Sequence, residues 1–303
     1  MNIRKSSFAG SWYPDTSGKC EIEIKQFLND PIIVQPPSKK YIAGIVPHAG
    51  WYFSGSIACN VISLLQDSNK PEGSKPEDSN PEGSKSEDSK IDVMVIFGMH
   101  LPPESRPYIM TQGAWQTPFG DIKIHENFAS EIEKQFDFNV ETVNSHVQDN
   151  TIELQLPFVK YFFNTTKIVP IGVPPLKNAM DIGKSVVEIA EKLDLNIKVL
   201  GSTDLTHYGP NYGFSRKTTG QSAIDWVRNE NDKKAIDAMV AMSSETILAE
   251  SITNQNTCCG GAVAATISAA KELGSQKGVS VAYATSYDKH KEESFVGYSG
   301  IVF

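Results

Sequence analysis

The chain alternates short apolar runs with longer segments of helical periodicity. The runs with the composition and length of buried strands are 41–47, 91–97, 167–173, 197–200, 279–284 and 296–303. Helical spacing of apolar residues covers 20–28, 56–65, 127–136, 179–193, 222–241, 244–250 and 260–273. Since continuous apolar strands between helices are typical of a sheet covered on both faces, the pattern predicts an α/β fold with a central, mostly parallel or mixed sheet.

One segment, residues 67–90, interrupts this alternation. It contains two near-identical decapeptides, "KPEGSKPEDS" and "NPEGSKSEDS", which have no apolar side chain to bury. Ordering such a segment would lose conformational entropy without a compensating gain. We therefore predict a single domain over residues 1–303 with a disordered, solvated loop inserted at 67–90. A tether for a partner or a phosphorylation site is the alternative role for this loop.

Composition and charge exclude several classes of protein. The 303 residues carry a net charge of -8, which disfavours general binding to nucleic acid or to an anionic membrane surface. The first residues lack the apolar core of a signal peptide, and no apolar run is long enough to cross a bilayer. The four cysteines form no C-x-x-C pair, so we expect neither a zinc ribbon nor a disulfide framework, and we expect a reducing, cytoplasmic location.

Three of the six histidines follow directly after predicted strands. They are His48 in "YIAGIVPHAG", His100 in "VMVIFGMHLP" and His207 in "VLGSTDLTHYG". Ligands of α/β sheets bind beyond the carboxyl ends of the strands, and imidazole serves both metal binding and acid–base catalysis. A single histidine after a strand is more often an ordinary loop residue, but three in the same position predict one shared site. His125 and His290 are expected at the surface.

Asp204 precedes His207 by three residues. If Ser202 or Thr203 caps a short helix after the strand, Asp204 and His207 share one face of one turn. A carboxylate there can fix the tautomer of the imidazole and favour its protonated form, which suits a general base. The alternative is that Asp204 only caps the helix.

Cys258 and Cys259 stand just before the small-residue helix predicted at 260–273. The positive end of a helix dipole favours the thiolate form of a cysteine, and a thiolate is both a nucleophile and a soft metal ligand. One of the two is expected to pack beneath the helix, and the spacing leaves open which one. Aromatic residues near these motifs are expected mainly to pack: Trp12, Tyr13, Trp51, Tyr52, Trp115 and Tyr208.

Four ordered motifs resemble the Memo family, whose bacterial and archaeal members are called AmmeMemoRadiSam system protein B. They are "AGSWYP" at 9–14, "PHAGWYFSG" at 47–55, "STDLTHYG" at 202–209 and "NTCCGG" at 256–261. The resemblance implies the fold of class III extradiol dioxygenases, which hold non-haem iron(II) with two histidines and a glutamate. It also implies a pathway shared with a radical SAM protein.

The resemblance also implies roles for individual residues. His48 and His100 fall at the two histidine ligands, and Cys259 falls where the dioxygenases have the glutamate. His207 falls at the acid–base histidine, with Asp204 beside it. The resemblance to iron(II) enzymes makes iron(II) the expected metal. Because a thiolate is softer than a carboxylate, copper and zinc are alternatives.

Two departures from the family pattern bear on the site. The residues around His100 read "GMHLP" where the family commonly has "GPSHH" or similar. Asn150 stands where the family has a pocket histidine, and an amide cannot shuttle protons near neutral pH. Glu153 is a candidate for the wall of the pocket, with solvent exposure as the alternative.

Three functions fit these residues. The first is a metal-dependent, dioxygenase-like oxidoreductase acting on a small molecule. The second is a non-catalytic module that binds a peptide or phosphopeptide in the same pocket, as some animal Memo proteins are regarded as doing. The third is a metal-free hydrolase or transferase with Cys259 as nucleophile and His207 as base, which leaves His48 and His100 without a role.

Overall fold

A computed structural model describes residues 2–66, 90–216 and 219–303, and the predicted loop at 67–90 lies outside them except for Lys90. The described residues form twelve strands and ten α-helices. The strands are β1 (Ile3–Arg4), β2 (Ala43–Val46), β3 (Val93–Gly98), β4 (Tyr108–Met110), β5 (Ala114–Trp115), β6 (Ile122–Lys123), β7 (Asn139–Glu141), β8 (Lys167–Gly172), β9 (Ile197–Ser202), β10 (His207–Tyr208), β11 (Val279–Thr285) and β12 (Phe295–Val302). The helices are α1 (Ser17–Phe27), α2 (Trp51–Ser63), α3 (Glu126–Glu133), α4 (Asn150–Glu153), α5 (Leu156–Phe162), α6 (Asn178–Lys192), α7 (Gln221–Trp226), α8 (Asp232–Val240), α9 (Ser244–Thr253) and α10 (Gly260–Glu272).

Nine of these strands form one mixed sheet in the order β10-β12-β2-β9-β3-β8-β4-β7, with β11 paired to β12. The central strands β2, β9, β3 and β8 run parallel to one another. β12 is antiparallel to β2, and β4 is antiparallel to β8, so antiparallel pairs flank the parallel centre. At the outer edge, β7 again runs parallel to β4. All six predicted strands are present in it, which confirms the α/β class with a mixed sheet.

Helices cover both faces of the parallel centre. A Cβ on Gly44 of β2 would lie 2.6 Å from Val61 of α2, and a Cβ on Gly201 of β9 would lie 2.3 Å from Thr266 of α10. Ile45 pairs with Gly201, so Gly44 and Gly201 point to opposite faces of the sheet. The glycines therefore let α2 and α10 approach the sheet closely from opposite sides. Across the described ranges, no helix is both long and apolar enough to cross a membrane.

The helix predicted over 222–241 is present as an unbroken helical stretch, within which a π-helical turn at Val227–Asn231 separates α7 from α8. One local prediction is wrong. The short helix predicted to hold Asp204 and His207 does not form, since residues 203–206, all of them described, have no helical structure. β9 ends at Ser202, the chain continues without helical structure, and His207 begins β10 opposite Val296.

Candidate metal centre

Three neighbouring parallel strands direct polar side chains to one edge of the sheet. β2, β9 and β3 end two residues before His48, Asp204 and His100, respectively. Because the strands are parallel and adjacent, these residues lie together, as the strand-end argument predicts. The N-terminus of α10, which begins after Cys259, closes the same edge.

The imidazole of His48 is held by a hydroxyl on the side away from the cluster. Its Nδ1 lies 3.0 Å from Ser202 Oγ, and that hydroxyl donates its own proton to the carbonyl oxygen of Thr151 at 2.7 Å. Ser202 Oγ must therefore accept a hydrogen bond from the Nδ1–H of His48. The lone pair of a neutral His48 is consequently on Nε2, which faces the centre of the cluster.

The imidazole of His100 is held in the corresponding way by a carboxylate. Its Nδ1 lies 3.0 Å from Asp149 Oδ2, which only accepts hydrogen bonds when ionised. The Nε2 atoms of His48 and His100 are then 3.1 Å apart. Two lone pairs at this distance repel unless a proton or a metal cation lies between them. The two histidines thus present a donor pair to a shared cation.

Two thiols complete the cluster. Cys258 Sγ lies 3.3 Å from His48 Nε2 and accepts a hydrogen bond from the backbone N–H of Asp204 at 3.2 Å. Cys259 Sγ lies 3.7 Å from Cys258 Sγ, and Cys259 is 2% exposed. The four ligand atoms of His48, His100, Cys258 and Cys259 all lie within 4.8 Å of one another. The structure therefore brings Cys259 to the cluster, as the resemblance implies, and places Cys258 directly against His48.

The charges around the cluster favour a cation. Burial opposes protonation of His48, but the charges of Asp204 and Cys258 raise its pKa. Burial likewise opposes protonation of His100, but hydrogen bonds to Asp149 and Cys258 raise its pKa to about 10. For the Cys258 thiol, burial is outweighed by the hydrogen bond from Cys259 and by the charge of His48, which lower its pKa and favour thiolate. A metal cation would replace the protons that the imidazoles otherwise hold.

Asp204 orients His48 rather than His207. Its Oδ1 accepts the backbone N–H of His48 at 2.7 Å, and its Oδ2 lies 3.8 Å from His48 Nε2. Among the hydrogen bonds of the described residues, none joins Asp204 to His207. The backbone between them is not helical, so no hydrogen bond forms between the two side chains, although both line the same cavity. Burial raises the pKa of Asp204, although the charge of His48 opposes this shift.

His207 lies beside the cluster and faces a cavity of about 510 Å³ that His48 and His100 also line. Its Nδ1 lies 3.2 Å from the carbonyl oxygen of Leu205, so Nδ1 donates and Nε2 carries the lone pair of the neutral ring. Tyr212 packs edge-to-face on the ring, with centroids 4.9 Å apart. The position and tautomer suit proton transfer to a ligand in this cavity.

Aromatic residues also lie at the cavity. Trp12 and Tyr52 line it and are 42% and 64% exposed, although each packs edge-to-face on a neighbouring ring, Phe8 and Phe53 respectively. The other four aromatics singled out in the sequence are buried. Although the side chain of His290 is exposed, it also lies at the rim and pairs with Glu292 at 2.7 Å.

Asn150 and Glu153 have different roles. Asn150 lines the cavity and donates from Nδ2 to the carbonyl oxygen of His48 at 2.8 Å, so it fixes the loop that carries this histidine. Glu153 is 1% exposed and is neither in the cavity wall nor at the surface. Its carboxylate accepts the backbone N–H groups of Ser7 and Phe8 and ties down the N-terminal segment.

Sequence reasoning missed the partners that orient the histidines. Asp149 carries a local signal, since its other oxygen accepts the backbone N–H of Thr151 and caps α4. Its bond to His100 spans 49 residues, and no local pattern indicates such a contact. Ser202 lies inside a motif singled out in the sequence, but its role requires the tertiary structure.

Comparison with known proteins identifies the family of the chain. A family model described as Memo-like protein matches residues 4–74 and 83–302. A MEMO1 family protein of Methanopyrus kandleri is 32% identical over 265 residues, covering 86% of this chain and 82% of the relative. A MEMO1 family protein of Methanobrevibacter smithii is 30% identical and covers 99% of this chain and 99% of the relative. A MEMO1 family protein of Pyrococcus furiosus is 28% identical and covers 99% of this chain and 98% of the relative. The chain belongs to the Memo-like protein family.

Proposed function

We propose that this protein is a metal-dependent, dioxygenase-like oxidoreductase that holds non-haem iron(II) or copper between His48, His100 and Cys259. The observation that carries the proposal is the pair of imidazole Nε2 atoms 3.1 Å apart, each with its Nδ1 bonded away from the cluster. Imidazole and thiolate donors suit iron, copper and zinc, so the residues fit a transition metal.

Iron or copper held there would supply one-electron redox chemistry to a substrate in the adjoining cavity. The protein's own residues bind and orient that substrate and move its protons. His207 presents the Nε2 lone pair of its neutral ring, so it accepts a proton from the substrate or returns one. Trp12 and Tyr52 offer exposed aromatic surface to a small organic molecule.

The lining of the cavity does not favour a phosphopeptide adaptor. Phosphate groups are usually recognised by arginine or lysine, and none of the described residues that line the cavity is either. Asp204 and Glu292 instead place carboxylates there. The alternative with Cys259 as nucleophile is also disfavoured, because Cys259 is 2% exposed and does not line the cavity.

Elemental analysis of anaerobically purified protein tests the proposal. The wild type should contain stoichiometric iron or copper, directly or after reconstitution with the reduced metal. His48→Ala should lose it because the shared donor pair is gone. His290→Ala, which alters an exposed rim histidine, should retain it and serves as the matched control. Wild-type protein that takes up no metal, or equal metal in wild type and His48→Ala, would contradict the proposal.

A further inference from the structure

We infer that Cys258 and Cys259 both bind the metal, so that the centre has two imidazole and two thiolate ligands. This inference rests on the proposed function, because it requires a metal at the cluster. It differs from the set implied by the family resemblance, in which Cys259 is the single thiolate beside His48 and His100. The second thiolate makes the site suitable for a thiophilic ion such as copper(I) or zinc(II).

Three of the six distances within the cluster are close to the edges of a metal-centred tetrahedron. Metal bonds measure about 2.0–2.1 Å to nitrogen and about 2.3 Å to sulfur. In a tetrahedron these bonds give edges of about 3.3 Å between two nitrogens, about 3.6 Å between nitrogen and sulfur, and about 3.8 Å between two sulfurs. The corresponding separations are 3.1 Å between the two Nε2 atoms, 3.3 Å from His48 Nε2 to Cys258 Sγ, and 3.7 Å between the two Sγ atoms. All six separations lie within 4.8 Å, so the donor pair that is furthest apart needs to close by about 1 Å for both cysteines to bind.

The backbone holds both thiols at the cluster. The N–H of Cys258 donates to the carbonyl oxygen of Asp204 at 3.1 Å, and the N–H of Cys259 donates to Thr203 Oγ1 at 3.1 Å. Consecutive residues are thus bonded to the same loop after β9. Behind them, a Cβ on Gly261 would lie 2.3 Å from the carbonyl oxygen of Pro174, so only glycine lets α10 begin this close to the neighbouring loop.

A centre with four protein ligands behaves differently from one with three. Three-ligand sites keep a position open for substrate or water, whereas a tetrahedral site with two cysteines and two histidines is closed. Access to the metal from the cavity then requires a larger coordination number or release of one ligand. Two thiolates also favour soft ions over iron(II), which prefers two histidines and a carboxylate in oxygenases.

Cobalt(II) substitution tests this inference without any enzyme assay. The charge-transfer absorption from thiolate sulfur to cobalt(II) grows with the number of bound thiolates. We expect Cys258→Ser and Cys259→Ser each to retain about half of the wild-type intensity and to bind zinc more weakly. Cys20→Ala, which removes a buried thiol outside the cluster, should retain the full intensity. Full intensity in either serine variant would overturn the inference while leaving metal binding intact.

X-ray absorption of the zinc-loaded wild type gives a readout that needs no variant. Two sulfur neighbours at about 2.3 Å would support the inference, and a single one would overturn it. Wild-type protein that binds neither cobalt nor zinc would contradict the proposed metal centre as a whole. The failure of the second thiolate and the failure of the metal centre are therefore distinguishable.

Discussion

Asp232 is a buried carboxyl group whose ionisation should make the stability of the fold depend on pH. It begins α8, and the backbone N–H of Thr206 donates to its Oδ1 at 3.0 Å while Tyr283 Oη donates to its Oδ2 at 2.8 Å. Burial raises its pKa from 3.8 to about 7, although the hydrogen bonds from Thr206 and Tyr283 and the charge of Arg228 oppose this shift. The folded protein therefore keeps this carboxyl protonated at pH values where the unfolded chain releases the proton.

The sign and size of the effect follow from linkage. A raised carboxyl pKa contributes stability that is fully present below the unfolded pKa of 3.8 and is lost as the pH rises through the folded pKa of about 7. Integrating between pH 5 and pH 8 gives a loss of about 2–3 kcal/mol in the free energy of unfolding from this one group. Asp232→Asn cannot ionise, and its amide resembles the protonated carboxyl in shape, so it should lack this loss.

Equilibrium urea unfolding at pH 5 and pH 8, followed by tryptophan fluorescence, measures the difference. The free energy of unfolding of Asp232→Asn should rise by about 2–3 kcal/mol relative to wild type between the two pH values. Asp237→Asn changes an exposed carboxylate on the same helix and should show a much smaller change. A stability difference between wild type and Asp232→Asn that is equal at both pH values, or that changes in the opposite direction, would refute the reasoning.

Three further substitutions test the packing, each by thermal unfolding at pH 7. Gly297→Ala should cost about 1–3 kcal/mol, because its Cβ would lie 1.9 Å from Asp232 Oδ2; an unchanged midpoint would contradict this. Gly18→Ala should stabilise the protein by about 0.5–1 kcal/mol, since this glycine lies in α1 with nothing within 4 Å of the new methyl group; a lower midpoint would count against it. Trp51→Ala should cost about 3–5 kcal/mol, because the buried ring stacks on Phe158 with centroids 4.1 Å apart; a loss below 1 kcal/mol would be inconsistent with that packing.

The six main strands could be predicted because each is a mainly apolar, β-rich run that is largely buried in the sheet. The relative directions of those strands could not be predicted. β12 is buried along its whole length, just as β3 is, yet β12 is antiparallel to β2 while β3 runs parallel to both of its neighbours. An apolar run reports burial on both faces, and burial alone does not distinguish a central antiparallel strand from a parallel one.

The candidate site was predictable where it depends on strand ends and not where it depends on local backbone conformation. His48 and His100 follow parallel strands, and the sheet brings them together regardless of their sequence separation. The position of both Cys258 and Cys259 at the cluster depends on the backbone just before α10, which the spacing of neighbouring residues does not fix. The pairing of Asp204 with His207 depends on a helical turn, and the chain after β9 is not helical, so Asp204 instead accepts the backbone N–H of His48.

One short segment, residues 149–151, orients both histidines of the cluster in three different ways. Asp149 accepts from His100 Nδ1, the amide of Asn150 donates to the carbonyl oxygen of His48, and the carbonyl oxygen of Thr151 fixes the hydroxyl that holds His48 Nδ1. Asn150 stands where the family resemblance implies a histidine, and its amide supplies a hydrogen bond that positions the loop of His48. Because these contacts connect residues 49 to 102 positions apart, they set the tautomers of the cluster without leaving a periodic signal in the sequence.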